Sequence, residues 1–164
     1  MATARFNYTS YDARRMQDVV NARSHADVMV ASHEDETSEV PHPYWYARVV
    51  SIFYVFVRFR VPGSLALTEP ERVDILWVRW FGLDSIGSSG WAPRRLHMLG
   101  FLPSDDSSGP AFGFIDPIHV LRGVHVIPAF SFGTTQDLLG PERSVAHQHR
   151  ELGNEDYLAY YLGM

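Results

Sequence analysis

Apolar and polar positions alternate with a period of two over two long runs of this chain. In the first run, the odd positions Trp45, Ala47, Val49, Phe53, Val55, Val57 and Phe59 are apolar, while the even positions begin and end on Tyr46, Arg48, Arg58 and Arg60. Val50, Ile52 and Phe56 bring apolar side chains to the even set in the middle. Residues two apart share one face of a strand, so the run predicts a strand with one apolar face and a middle buried on both sides. That is the pattern of a strand crossing the centre of a small barrel. By the same parity Arg48, Arg58 and Arg60 share a face. The second run, Val73–Gly82, is equally rich in β-branched and aromatic residues. Together the runs predict a long antiparallel hairpin, joined by Val61–Arg72 with Pro62, Gly63 and Pro70, which is too long for a tight turn.

Shorter signals flank the hairpin. Residues 1–24 read as an N-terminal arm lying on the domain, in which Thr9–Asp12 could open a short helix through Asp18. Ala26–Ala31 is a candidate buried strand, and the acidic stretch Ser32–Val40 an exposed loop. Pro41 and Pro43 hold the chain extended at the entry to the first long strand. Asp84–Gly90 reads as a connection, Trp91–Leu99 as a short strand opening near Arg94 and Arg95, and Ser104–Gly109 as an acidic, serine-rich loop. Asp116-Pro117 looks like a cap and first position of a short helical turn, followed by the strand-like Val124–Phe130. Beyond Gly133 the chain is polar and punctuated by Gly and Pro. The division is thus an arm (1–24), a β-barrel core (25–133) and a polar C-terminal tail packing on or trailing from it (134–164). The expected fold is mostly β: an SH3-like barrel with long loops and short helical turns.

Composition narrows the chemistry. A chain of 164 residues suffices for one domain with a real core. Without cysteine it has no disulfide, thiolate metal site or cysteine nucleophile. The first residues lack the apolar core of a secretory signal, and no apolar run reaches membrane-spanning length, so the expectation is an intracellular protein with no membrane partner. The net charge of −5 argues against broad, charge-driven nucleic-acid binding, although every basic side chain is arginine, the type suited to bidentate anion contact.

Two family resemblances follow from the order of these features. Asp27–Val30, Tyr46–Ile52, Leu76–Phe81 with its terminal aromatic pair, and Ile118–Val126 resemble the core segments of a bromo-adjacent homology (BAH) domain, an SH3-like barrel with long insertions. The chain departs from that pattern at Gly82–Ser85, where such domains usually carry an Arg-Pro-Glu-Glu-Thr type sequence. Arg5–Thr9, Ser24–Val30, His42–Val49, Leu76–Gly82 and Gly123–Phe130 together resemble, over nearly the whole chain, another domain. It is found at the C-terminal end of large proteins encoded by Plavaka-type transposable elements of mushroom-forming fungi. This second resemblance implies an accessory module of a transposase, acting in the nucleus, and supplies no catalytic residues.

Three constellations carry candidate chemistry. Tyr44, Tyr46, Trp80 and Trp91 could wall a cage for a methylated ammonium group, with Trp45 and Trp77 inside, or all could belong to an aromatic core and its rim. Arg48, Arg58, Arg60, Arg79, Arg94 and Arg95 could present a strip to phosphates, or pair with the abundant carboxylates. His25 and Asp27, with His119 or His125, have the residue types of a two-histidine, one-carboxylate iron site, while Asp27 could equally take a structural hydrogen bond. His147 and His149 read as exposed. No Gly-x-Ser-x-Gly elbow, phosphate loop or dinucleotide fingerprint occurs. The expected function is binding without catalysis or cofactor. The partners would be chromatin and its histone tails, DNA or the parent transposase, and the binding surface Tyr44, Tyr46, Arg48, Arg79, Trp80 and Trp91. An iron-dependent oxygenase and a purely structural module are the alternatives.

Overall fold

The computed structural model describes residues 2–9, 15–32, 42–63, 66–83, 96–104, 110–140, 142, 144–147 and 152–163. Strand β1 (Ala4–Thr9) pairs antiparallel with β2 (Arg15–Val20) as a separate two-stranded sheet. The helix expected from Thr9 to Asp18 is therefore not formed where the chain is described. Val19 and Val20 supply β propensity there, and Val20 is buried against the main sheet.

The main sheet is built on β3 (Asp27–Ala31), β4 (Tyr44–Val57), β5 (Glu71–Leu83), β6 (Met98–Phe101), β7 (Phe112–Ile115), β8 (Val120–Gly123), β9 (His125–Pro128) and β12 (Tyr160–Gly163). The short strands β10 (Thr134–Thr135) and β11 (Asp156–Tyr157) pair with each other. The order across the main sheet is β8-β3-β4-β5-β6-β12-β9, with β7 also on β5, and every pairing is antiparallel. The chain is thus a mostly-β protein with single-turn 3-10 helices at Pro117–His119 and Phe130–Phe132. The first is capped as its sequence predicts, the Asp116 carboxylate accepting from the Ile118 N–H at 2.9 Å. Strands β8 and β9 lie at opposite ends of the sheet yet are separated only by Val124, whose N–H donates to the Asp27 carbonyl at 2.9 Å. They do not pair with each other, so the hydrogen-bonded ladder is not closed into a barrel.

The hairpin β4–β5 is the axis of the molecule, and its register shifts between Val49 and Ser51. Val50 is the extra residue of a β-bulge, which reverses the facing of everything after it. Ala47 and Val49 before the bulge therefore share a face with Ile52 after it, where they join Leu76, Val78, Val28 and Val30 in one core. Phe6 and Val20 of the N-terminal hairpin cover that core, so the arm is part of it. Tyr46 lies on the opposite face with Phe81, Leu99, Phe101, Tyr160 and Leu162, the second core. Each such aliphatic or aromatic side chain contributes about 1.5–3 kcal/mol on full burial.

The C-terminal segment departs from its reading as a polar tail. Strand β12 sits inside the main sheet, between β6 and β9, with Tyr160 0% and Leu162 2% exposed. Two alternate apolar residues in a four-residue strand are enough to secure it, because both point into the second core.

Candidate interaction surface

The residues expected to share one binding surface are divided among different environments. Tyr44 is 37% exposed at the start of β4, but Tyr46 is 3% exposed and packs in the second core. Burial pushes the Tyr46 phenol pKa up, with Tyr44 acting in the same direction. Trp80 pairs with Ala47 and so faces the other side of the sheet, edge-on to Trp45 at 6.0 Å. It lies against Gly113, where a methyl group would come within 2.6 Å of its Nε1. Trp45 and Trp77 are both half-buried. Strand parity thus separates Tyr44 and Tyr46 from Trp80, and no cage forms from them; Trp91 lies outside the described residues.

Arg48 and Arg79, expected at the surface, are in the core. They face each other across β4 and β5, and Arg48 is bound by Asp27 through Nε at 2.6 Å and Nη2 at 3.1 Å. Arg79, fully buried, donates from Nη2 to Asp156 at 2.8 Å. Its guanidinium carbon stands 3.8 Å from the centre of the Phe101 ring, and that of Arg48 stands 5.0 Å from the Tyr160 ring. Burial, the largest influence, acts to lower the Arg48 pKa, but the Asp27 charge and hydrogen bonds leave it raised. Burial also pushes the Tyr160 phenol up to about 12, against the opposing charge of Arg48. Nε and Nη1 of Arg79 and the Tyr160 hydroxyl have no hydrogen-bond partner among the described residues. The bulge at Val50 also removes the shared face expected for Arg48, Arg58 and Arg60, and Arg94 and Arg95 lie outside the described residues.

The iron alternative finds no assembled site. Among the described residues no group of three His, Asp or Glu side chains could hold a metal ion. Asp27 is committed to Arg48, and His25, His119 and His125 are exposed. His25, Asp27 and His125 do border one cleft of about 540 Å³, together with Asp18 and Arg122. There the Asp18 carboxylate accepts from the Gly123 N–H at 2.9 Å. His147, expected exposed, has a buried side chain: its Nδ1 accepts from the Ser144 N–H at 3.2 Å and its Nε2 lies 3.9 Å from Asp156.

What the sequence did not single out is the outer half of the hairpin. β3 has five residues against fourteen in β4, and its register ends on Arg48. The Val49 N–H still donates to Ala26, but from Ser51 to Val57 the outer edge of β4 has no strand partner among the described residues. β7 leaves β5 at Leu76. The hairpin therefore projects as a two-stranded ribbon from Phe53 to the Arg60–Leu67 bridge, about 26 Å at the usual rise per residue. Its side chains are exposed: Tyr54 54%, Phe56 66%, and Phe53 and Val55 37% each. Phe53 meets Phe114, 72% exposed, edge-on at 6.3 Å. On the other side Arg72 lies 4.4 Å over Tyr54 and is fixed by Asp74 at 2.6 Å. A cleft of about 610 Å³ opens there between residues 2–6 and Ile52, Tyr54, Arg72, Asp74 and Pro117. The signal was present as a length mismatch, β4 running nine residues beyond its pairing with β3 while only β5 follows it on the other side.

No protein-family profile, curated protein or solved structure matches the chain.

Proposed function

We propose that this chain is a non-catalytic binding module that engages a protein partner by strand addition along its projecting ribbon. The observation that carries this reading is the edge of β4 from Ser51 to Val57, which no strand among the described residues pairs, with Tyr54 and Phe56 exposed beside it. An isolated two-stranded ribbon is marginal in water, and an exposed aromatic patch rimmed by polar groups marks a contact site. An edge with free N–H and C=O groups pairs with an extended segment through its backbone, and neighbouring side chains select the sequence. The cleft beside Tyr54, with its Arg72–Asp74 pair, supplies such selection.

A protein is favoured over DNA because Arg48 and Arg79 are consumed in the core and the chain carries a net charge of −5. The near-circular order, in which β8 and β9 end the sheet but follow each other in sequence, supports an SH3-like, BAH-like curl. The Plavaka-type resemblance supports reading the module as part of a transposon-derived nuclear protein whose partners are chromatin, its histone tails or the parent transposase. The test is binding of the purified chain to histone-tail peptides, to duplex DNA over a salt series, and to the immobilised chain itself. Protein-type binding that is lost on joint Tyr54→Glu and Phe56→Glu substitution is expected. Steeply salt-dependent DNA binding alone, or binding indifferent to these substitutions, overturns the reading.

A further inference from the structure

We propose that the β4 edge pairs with the same edge of a second copy of this chain, giving a two-fold dimer with a continuous four-stranded ribbon. The inference rests on the strand-addition reading above and names its occupant. An antiparallel strand is matched to itself by a two-fold axis, so one free edge completes a closed, isologous interface. Centred on Val55, the pairing sets Phe53 opposite the other copy's Val57, Tyr54 opposite its Phe56, and Val55 opposite itself. Directly opposed residues share a face, so every pair is aromatic or β-branched, the combination that stabilises adjacent strands. Arg58 then falls opposite Ile52 and diagonal to Tyr54, whose ring already receives Arg72 on its own copy. No like charges oppose one another.

Charge and area agree with this occupant. Between Ser51 and Leu76 the chain has three arginines (58, 60, 72) and three carboxylates (69, 71, 74), a neutral segment on a chain of net charge −5. Two copies joined there meet without the repulsion that their whole charge would impose, and a projecting ribbon sets the charged bodies further apart than the ~8 Å screening length. From their exposed fractions, Phe53 to Phe56 offer roughly 400 Å² per copy, about half of a standard interface. An interface this small is that of a weak, reversible dimer whose population depends on concentration.

The experiment is sedimentation equilibrium of the full chain between about 1 and 200 μM, a range that brackets micromolar dissociation. Alongside the wild type run the double variant Tyr54→Glu/Phe56→Glu, the double variant Tyr54→Lys/Phe56→Lys, and their equimolar mixture. Both positions are exposed, and circular dichroism checks that each variant is folded. The expected result is a wild-type dimer, at least tenfold weaker association of either variant alone, and recovery of a one-to-one dimer in the mixture, where each lysine opposes a glutamate. A wild-type chain that stays monomeric, or variants that associate like the wild type, overturns the dimer. A monomer that still takes up a histone-tail peptide through Tyr54 and Phe56 overturns the dimer and leaves the proposed function standing.

Discussion

Arg48 and Arg79 stand directly opposite one another across β4 and β5, two buried guanidinium groups in one register pair. Their carboxylates come from different directions: Asp27 from the neighbouring strand, and Asp156 from a segment 77 residues further along the chain than Arg79. Aromatic rings of Phe81, Phe101 and Tyr160 fill the space around them. The arrangement offsets like-charge repulsion only while both carboxylates are present.

Removing either carboxylate is therefore expected to be costly. Asp156→Asn leaves Arg79 charged in the core and should destabilise the fold by about 3–5 kcal/mol. Asp74→Asn, which breaks the exposed pair with Arg72, should cost less than about 1 kcal/mol. Urea denaturation of the two variants side by side checks the contrast. Equal midpoints would mean that the buried pair contributes nothing beyond a surface one.

Tyr160 gives the protein an alkaline limb. Its phenol is pushed up to about 12 in the folded chain by burial, from an ordinary value near 10. Between these values the unfolded chain has lost the proton and the folded chain keeps it. Stability is thus fully present below about pH 10 and falls as pH rises toward 12, by about 2–3 kcal/mol in total. Tyr160→Phe should flatten this limb and be nearly neutral at pH 7, since the hydroxyl has no hydrogen-bond partner among the described residues. Denaturation midpoints at pH 7, 9 and 11 measure both effects.

Gly113 is held by contact with Trp80. A methyl group there would meet Nε1 of the indole at 2.6 Å, closer than real side chains approach. Gly113→Ala should destabilise by about 1–3 kcal/mol and shift the tryptophan fluorescence, as the ring gives way toward Trp45. An unchanged melting temperature and spectrum would show that the neighbouring ring has room to spare.

The N-terminal hairpin should behave as core. Phe6 is 7% exposed beneath it, and Phe6→Ala is expected to cost about 3–5 kcal/mol. Phe114→Ser, at a side chain 72% exposed, should change stability by less than about 0.5 kcal/mol and lower binding of an apolar-surface dye. Chemical denaturation of both variants, with dye binding for the second, decides the matter.

The mostly-β character and the long hairpin were legible because both runs are rich in β-branched and aromatic residues and alternate with a period of two on either side of Val50. The bulge was not, since Val50 is one apolar residue among others and carries no glycine or proline to mark it. That single residue moved Arg48 away from the face of Arg58. Its burial was hidden further because arginine is usually a surface residue, and Asp156, the partner of Arg79, is remote in sequence. The apolar middle of β4 suggested burial on both faces. Its exposure depends on how far β3 and β7 extend, a property of neighbours rather than of the strand. Tyr160–Gly163 was too short to show a period, so its place within the sheet could not be read.

The insertion of β12 between β6 and β9 also sets an order of events during synthesis. Until residues 156–163 have emerged from the ribosome, β6 and β9 lack their common neighbour and Arg79 lacks its carboxylate. Contacts between such distant segments form slowly, because the intervening chain must be ordered before they contribute. Until that strand docks, the chain carries a charged, half-built core beside an aromatic ribbon, a state open to association with other chains.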